Sequence, residues 1–286
     1  MAEREPRVPE LEDYGTGVFR RRVHVEARDG GRVVGELQDD FHHFAVEVTH
    51  DGSKVTAIRG GGLRVPWTTC PGAIPPLERL NGLPLTEMLR SAARFTDPRA
   101  QCTHLFDLAS HAIAHAARSE PGSRIYDITV PDRVGGRTLA TLDRDGARLL
   151  AWEIERGDIL SPEPFAGHSV TGRGFAAWAD ERLEADLAEA AQMLRRTCLI
   201  SIGRRYDFTK VASALDFGEA IGGACHTFSP GTVEIAGKIP ESRLAPGSEE
   251  RRIFTDGFSP EFRERFDASE PDGTRPGDRG GSSAGS

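Results

Sequence analysis

The chain has 286 residues, with 36 Lys+Arg against 44 Asp+Glu and a formal net charge of −8. That acidic balance disfavours a nucleic-acid backbone as main partner, because such binding draws on a surplus of cations on one face. No window approaches the roughly 18 apolar residues of a membrane span, and the first residues lack the apolar core of a secretory signal, so a cytoplasmic protein without a membrane partner is expected. The four cysteines, Cys70, Cys102, Cys198 and Cys225, are widely scattered. Such spacing suits reduced thiols or metal ligands better than a disulfide framework.

Residues 1–16, rich in Glu and Pro, read as a flexible arm. Val18–Ala27 then alternates, with Phe19, Val23 and Val25 on one face and Arg20, Arg22, His24 and Glu26 on the other, as a half-buried strand does. Asp29-Gly30-Gly31 turns the chain into a strand near Val33–Leu37; a third strand covers Phe41–His50, and Asp51-Gly52 leads to a fourth at Val55–Arg59. Short helical pieces follow at Leu77–Leu80 and Leu85–Arg94. Thr103–Arg118 carries Leu105, Leu108, Ala109, Ala112, Ile113 and Ala116 at helical spacing and predicts an amphipathic helix packed on the sheet.

A second β region is expected at Ile125–Val130, Thr138–Leu142 and Leu149–Glu155. A loop at Ser161–Gly174 leads to a long helix at about Phe175–Leu199. Its apolar stripe is Leu183, Leu187, Ala190, Ala191 and Leu194, and its solvated side is Glu181, Glu184, Asp186 and Glu189. Residues 201–240 are glycine-rich and end in an alternating strand at Val233–Ile239. From about 243 the composition predicts a largely disordered tail, although Phe254, Phe258, Phe262 and Phe266 recur every four residues, the spacing of a short docking helix. The pattern gives an α+β fold, antiparallel β meanders packed against two main amphipathic helices. It is organised as one domain over 17–242 with two β subregions, about 17–120 and 121–242.

Several residues are candidates for chemistry. Cys102 and His104 open the first long helix, where the positive helix end favours a thiolate; the alternative is a buried Cys and a backbone-bonded His. His104, His111 and His115 fall within roughly 40° of one another on that helix. His111 and His115 have chelating i,i+4 spacing, although a solvated flank suits His115. Cys225 and His226 follow a glycine pair, with Cys225 the inward member. On the third strand, alternation puts His42 with Phe44, Val46 and Val48, and Asp39 or Asp40 just before it could orient the ring. Cys70 lies in a turn after Trp67, and His168 in the loop before the second long helix, as a lid residue or a plain surface residue. P-loop, G-x-S-x-G and G-x-G-x-x-G motifs are lacking.

The order of these motifs, a β meander, Trp67-Thr68-Thr69-Cys70-Pro71-Gly72, Cys102-Thr103-His104-Leu105 opening a helix, and a late Cys225-His226, resembles the bacterial domain-of-unknown-function 2889 family over about residues 18–235. The resemblance implies no assigned activity, only an association with accessory or catabolic proteins for small aromatic or acyl compounds. From the residues themselves, Cys70, Cys102, His104 and Cys225 are expected to converge as metal ligands, with His42 and His168 in catalytic roles and His111 and His226 near a cofactor. Such donors fit iron, free or in haem, or zinc. The expected function is a metal-centred enzyme, oxidative cleavage leading, acting on a small, partly apolar or aromatic substrate. The alternatives are a cofactor-free Cys/His hydrolase or lyase with Cys102 as nucleophile, or a ligand-binding or assembly protein. Open sheet edges make a homodimer plausible.

Overall fold

A computed structural model describes residues 8–119, 122–245, 247–248 and 252–267. Its centre is a single eight-stranded antiparallel sheet in the order β4-β3-β2-β1-β5-β6-β7-β8. The strands are β1 (Val18–Arg28), β2 (Arg32–Asp39), β3 (His43–His50), β4 (Val55–Arg64), β5 (Ser123–Pro131), β6 (Arg137–Arg144), β7 (Ala147–Glu155) and β8 (Asp158–Ser161). The helices are α1 (Arg90–Phe95), α2 (Thr103–Arg118), α3 (Phe175–Arg182) and α4 (Ala185–Ile200). The expected α+β class and antiparallel meanders are present. The two β subregions are halves of one sheet, joined where β1 pairs with β5 from Val18↔Pro131 to Glu26↔Ser123.

The β1–β2 hairpin turns at Gly30 and Gly31, whose φ of 75° and 70° lie where side chains are strained. At Gly31 a Cβ would also stand 2.4 Å from the His50 carbonyl oxygen. The inward face of the sheet is covered by α2 and α4. On α2, Leu105, Leu108, Ala109 and Ala112 are fully buried, so the predicted stripe is the packed one.

The long helix expected at Phe175–Leu199 is two helices. Leu183 and Glu184 are extended, ending α3 and starting α4. The break lets α3 set Phe175 against Trp152 while α4 lies on the sheet with Ala190, Ala191 and Leu194 buried. Periodicity could not show this, because both helices are apolar on the side they bury. Val233–Ile239 is not a strand. Val233–Ile235 forms a 3-10 turn with Ile235 73% exposed, and residues 236–239 pair with 66–68 and 212–214 through isolated bridges and single backbone hydrogen bonds rather than a ladder.

The outward face of β1–β4 is crossed by residues 252–267. Phe258, Phe262 and Phe266 are buried there in a ladder with ring centroids 4.2 and 5.2 Å apart, packed on Val34 and Ala45. The four-residue phenylalanine spacing thus marks a docked strap. Gly61 on β4 makes room for it, since a Cβ there would lie 3.1 Å from the Phe266 ring. Residues 268–286 of the predicted tail, and 1–7 of the predicted arm, lie outside the described residues. Val8, within that arm, is buried.

Candidate functional site

The sequence places His42 directly after β2 and its turn, three residues beyond Asp39, and α2 brings His104 over it. Asp39 is fully buried. Its Oδ1 accepts from the backbone N–H of Phe41 and of His42, both at 2.8 Å, and lies 3.0 Å from His42 Nδ1. Its Oδ2 accepts from Arg21 Nε and Nη2 at 3.1 and 2.6 Å. Arg21 is Asp39's cross-strand partner on β1 and is itself 2% exposed. Burial alone would raise the Asp39 pKa; His42 and Arg21 more than offset it and hold the carboxyl well below its usual range. Asp39 is therefore an anion at neutral pH, and its contact fixes the orientation of the His42 ring.

The His104 imidazole stacks on His42 with centroids 3.8 Å apart and on Phe44 at 5.7 Å. It is buried, and its Nε2 has no hydrogen-bond partner. Burial first, then the nearby His42 and Arg21, keep His104 neutral by pushing its pKa well below the usual value. Ligand atoms of Asp39, His42 and His104 lie within 4.8 Å of one another, and no other His/Cys/Asp/Glu group of three does so among the described residues. Reading His42 on the Phe44 face with an aspartate behind it matches this geometry. Phe41, expected to begin the third strand, instead precedes β3 and turns into the main core against Phe19 and Phe208.

Cys70, Cys102 and Cys225 lie near enough that Cys70 and Cys225 help to raise the Cys102 pKa, but no three of Cys70, Cys102, His104 and Cys225 bring ligand atoms within 4.8 Å of one another. Cys70 Sγ faces Thr227 Oγ1 at 3.7 Å, and Cys102 is the N-cap of α2 without a side-chain cap bond. All four thiols are free. Burial raises each pKa, that of Cys70 to about 11 and that of Cys198 to about 12, so at Cys102 desolvation outweighs the helix end and holds the thiol protonated. His226 packs its ring against Gly72, and Cys225 is only partly buried. His168 lies against Trp178, rings tilted with centroids 3.9 Å apart, in the α3 aromatic cluster and away from His42.

His111 lies one flank further along α2, with Nδ1 2.8 Å from Glu189 Oε1 on α4. Glu189, expected on the solvated side, is 1% exposed and also pairs with Arg118 at 2.6 Å. His115, expected at a solvated flank, is buried with Nε2 3.2 Å from the Gly122 carbonyl. Glu189 is buried by partners on α2, remote in sequence, and His115 by a carbonyl in the turn that follows its own helix; neither contact leaves a periodic signal in the chain. The buried cation Arg21 was also hidden, inside the run Arg20-Arg21-Arg22.

Beneath the strap, Glu36 pairs with His43 at 2.6 Å and accepts from the Ser259 backbone N–H at 3.0 Å. His24 stacks on Phe258 at 3.9 Å with neither ring nitrogen hydrogen-bonded, although Glu26 Oε2 lies 3.8 Å from Nε2. Burial lowers its pKa to about 4. Between about pH 6.5 and 4 the unfolded chain then binds a proton at His24 that the folded chain does not, so this stability is present above about pH 6.5 and is lost as the pH falls. Asp40, held up to about 6 chiefly by burial, acts in the opposite sense as the pH falls from about 6. A comparison with His24→Gln cancels that contribution. Urea titrations at pH 7, 6 and 5 are expected to show the unsubstituted protein losing stability relative to His24→Gln; parallel profiles overturn the assignment.

Two comparisons complete the description. Residues 20–118, which span most of β1, all of β2–β4 and α2, match a family described as protein of unknown function (DUF2889). The match is shorter than the 18–235 expected from the motifs and leaves out β5–β8 and Cys225-His226. No curated protein matches the chain.

Proposed function

Taking residues 20–118 as a stretch of the DUF2889 family, we propose that this region supplies the centre of a metal-dependent enzyme. In this reading His42 and His104 are the imidazole ligands and Asp39 holds the tautomer of His42. The observation that carries it is the buried His104 Nε2, without a hydrogen bond, beside a second imidazole already fixed by a carboxylate. Buried polar atoms are nearly always satisfied, and metal-bound histidines characteristically donate their other N–H to a carboxylate. Two imidazoles and a nearby carboxylate suit iron, zinc or manganese rather than calcium or magnesium. The 3.8 Å ring separation leaves no room for a porphyrin between the two histidines, so a centre that uses both imidazoles holds a bare ion.

The bound ion supplies Lewis acidity or, as iron, oxygen activation. The protein's own contribution is a dry wall of Phe41, Phe44 and the two imidazoles, and an anion already matched by Arg21. The substrate suited to that wall is small and partly apolar, with oxidative cleavage the leading reaction. Freshly purified protein is expected to carry about one transition-metal ion per chain by elemental analysis, in line with one two-imidazole centre. His104→Ala and His42→Ala are expected to lose it with the circular dichroism spectrum retained, and Cys102→Ala to keep it. Metal-free protein, or unchanged content in both histidine variants, defeats the proposal. A second reading rests on the Asp39–His42 contact: a metal-free general base oriented by its carboxylate, with activity in the presence of a chelator as its signature.

A further inference from the structure

A cavity of about 330 Å³ lies between residues 86–89 and the α3–α4 corner, at the end of α2 opposite to His104. Met88, Leu89, Leu183 and Ala188 give it an apolar wall, and Thr86, Glu87, Asp180, Glu189 and Gln192 a polar one. The size is that of a small-ligand site, and its lining is evenly divided between apolar and polar side chains. The polar groups are not equivalent. Glu189 is paired with His111 and Arg118, Glu87 with Arg118 at 3.2 Å, and the neighbouring Asp186 with Arg118, Arg124 and Arg144.

Asp180 is the wall carboxylate left short. Its side chain is 7% exposed, its Oδ1 accepts from Gln192 Nε2 at 2.8 Å, and its Oδ2 has no hydrogen bond, with Arg90 no nearer than 3.8 Å. Leaving a buried carboxylate oxygen without a donor is costly, and a ligand bringing a charged N–H removes that cost.

We infer that this cleft binds a small organic cation, a primary amine with a short apolar body, whose ammonium group pairs with Asp180 while its chain lies on Met88 and Leu183. The site is independent of the Asp39–His42–His104 centre, and its test needs no activity. Titration of the full chain with hexylamine, followed by amide NMR, is expected to give saturable shifts at the Gln192 side-chain amide and at residues 86–89. Hexanol and hexanoate serve as neutral and anionic controls of equal length, and neither is expected to saturate in the same range. Asp180→Asn is expected to weaken hexylamine at least about tenfold, the loss of one charged hydrogen bond. Met88→Ala, at a residue 40% exposed and so tolerant of truncation, is expected to weaken it severalfold with the fold intact. The inference is overturned by the absence of saturable shifts, by hexanol binding as well as hexylamine, or by both variants binding hexylamine unchanged.

Discussion

Replacing Asp39 with alanine is expected to cost about 3–5 kcal/mol of folding stability, the range for breaking a buried ion pair by removing one partner. The carboxylate accepts from Arg21, from two backbone N–H groups and from His42. Without it Arg21, 2% exposed, keeps its charge in a site with no solvent to receive it. The loss is measured as the change in unfolding free energy from urea titration. A double variant, Arg21→Met with Asp39→Leu, is expected to recover much of the loss, because two apolar groups of similar shape leave no charge uncompensated. If the single variant costs under about 1 kcal/mol, the pair is not the electrostatic anchor of the His42 turn.

Phe262→Ala is expected to be of similar size, about 3–5 kcal/mol, the usual cost of truncating a buried phenylalanine. The ring is fully buried between Phe258 and Phe266 on the outward face of the sheet. Its backbone N–H is capped by Ser259 Oγ at 3.1 Å, which also anchors the strap to Glu36. Loss of the ladder should therefore loosen residues 252–267 as a unit, raising amide hydrogen exchange there and at Val34 and Ala45 beneath. Unchanged exchange under the strap, with a stability loss below about 1 kcal/mol, shows that the strap contributes little to holding the sheet.

Local patterns in the chain account for most of the sheet and for α2. The alternation of Phe19, Val23 and Val25 and the stripe from Leu105 to Ala116 mark the apolar faces that the structure packs inward, but not the burial of the opposite sides, where His24 lies under the strap and His104, His111 and His115 are enclosed. The phenylalanine spacing at 258, 262 and 266 was also readable. The break at Leu183–Glu184 was not, since it answers to what the two helices pack against. The same division runs through the site. His42, with an aspartate three residues before it, could be picked out from alternation and proximity. Its meeting with His104 depends on how α2 lies across β3, and the same packing sets Cys70, Cys102 and Cys225 near one another without a point shared with His104: residue type names what can bind, and only the packing of remote elements decides what meets. Glu189 and Arg21 show the other limit, since a charged residue buried by a distant partner looks like any surface charge in the chain.

The join between the sheet's halves bears on the segment shared with the family. That segment ends at Arg118, where α2 stops, yet β1 is bonded on its far side to β5 over the whole stretch from Val18 to Glu26. Cutting the chain after α2 would leave that rim of β1 with its amides and carbonyls open to water, next to an apolar row of Phe19, Val23 and Val25 stripped of half its cover. Such a fragment has a ready adhesive seam, and a relative built of this segment alone would have to close it with strands of its own or with another chain.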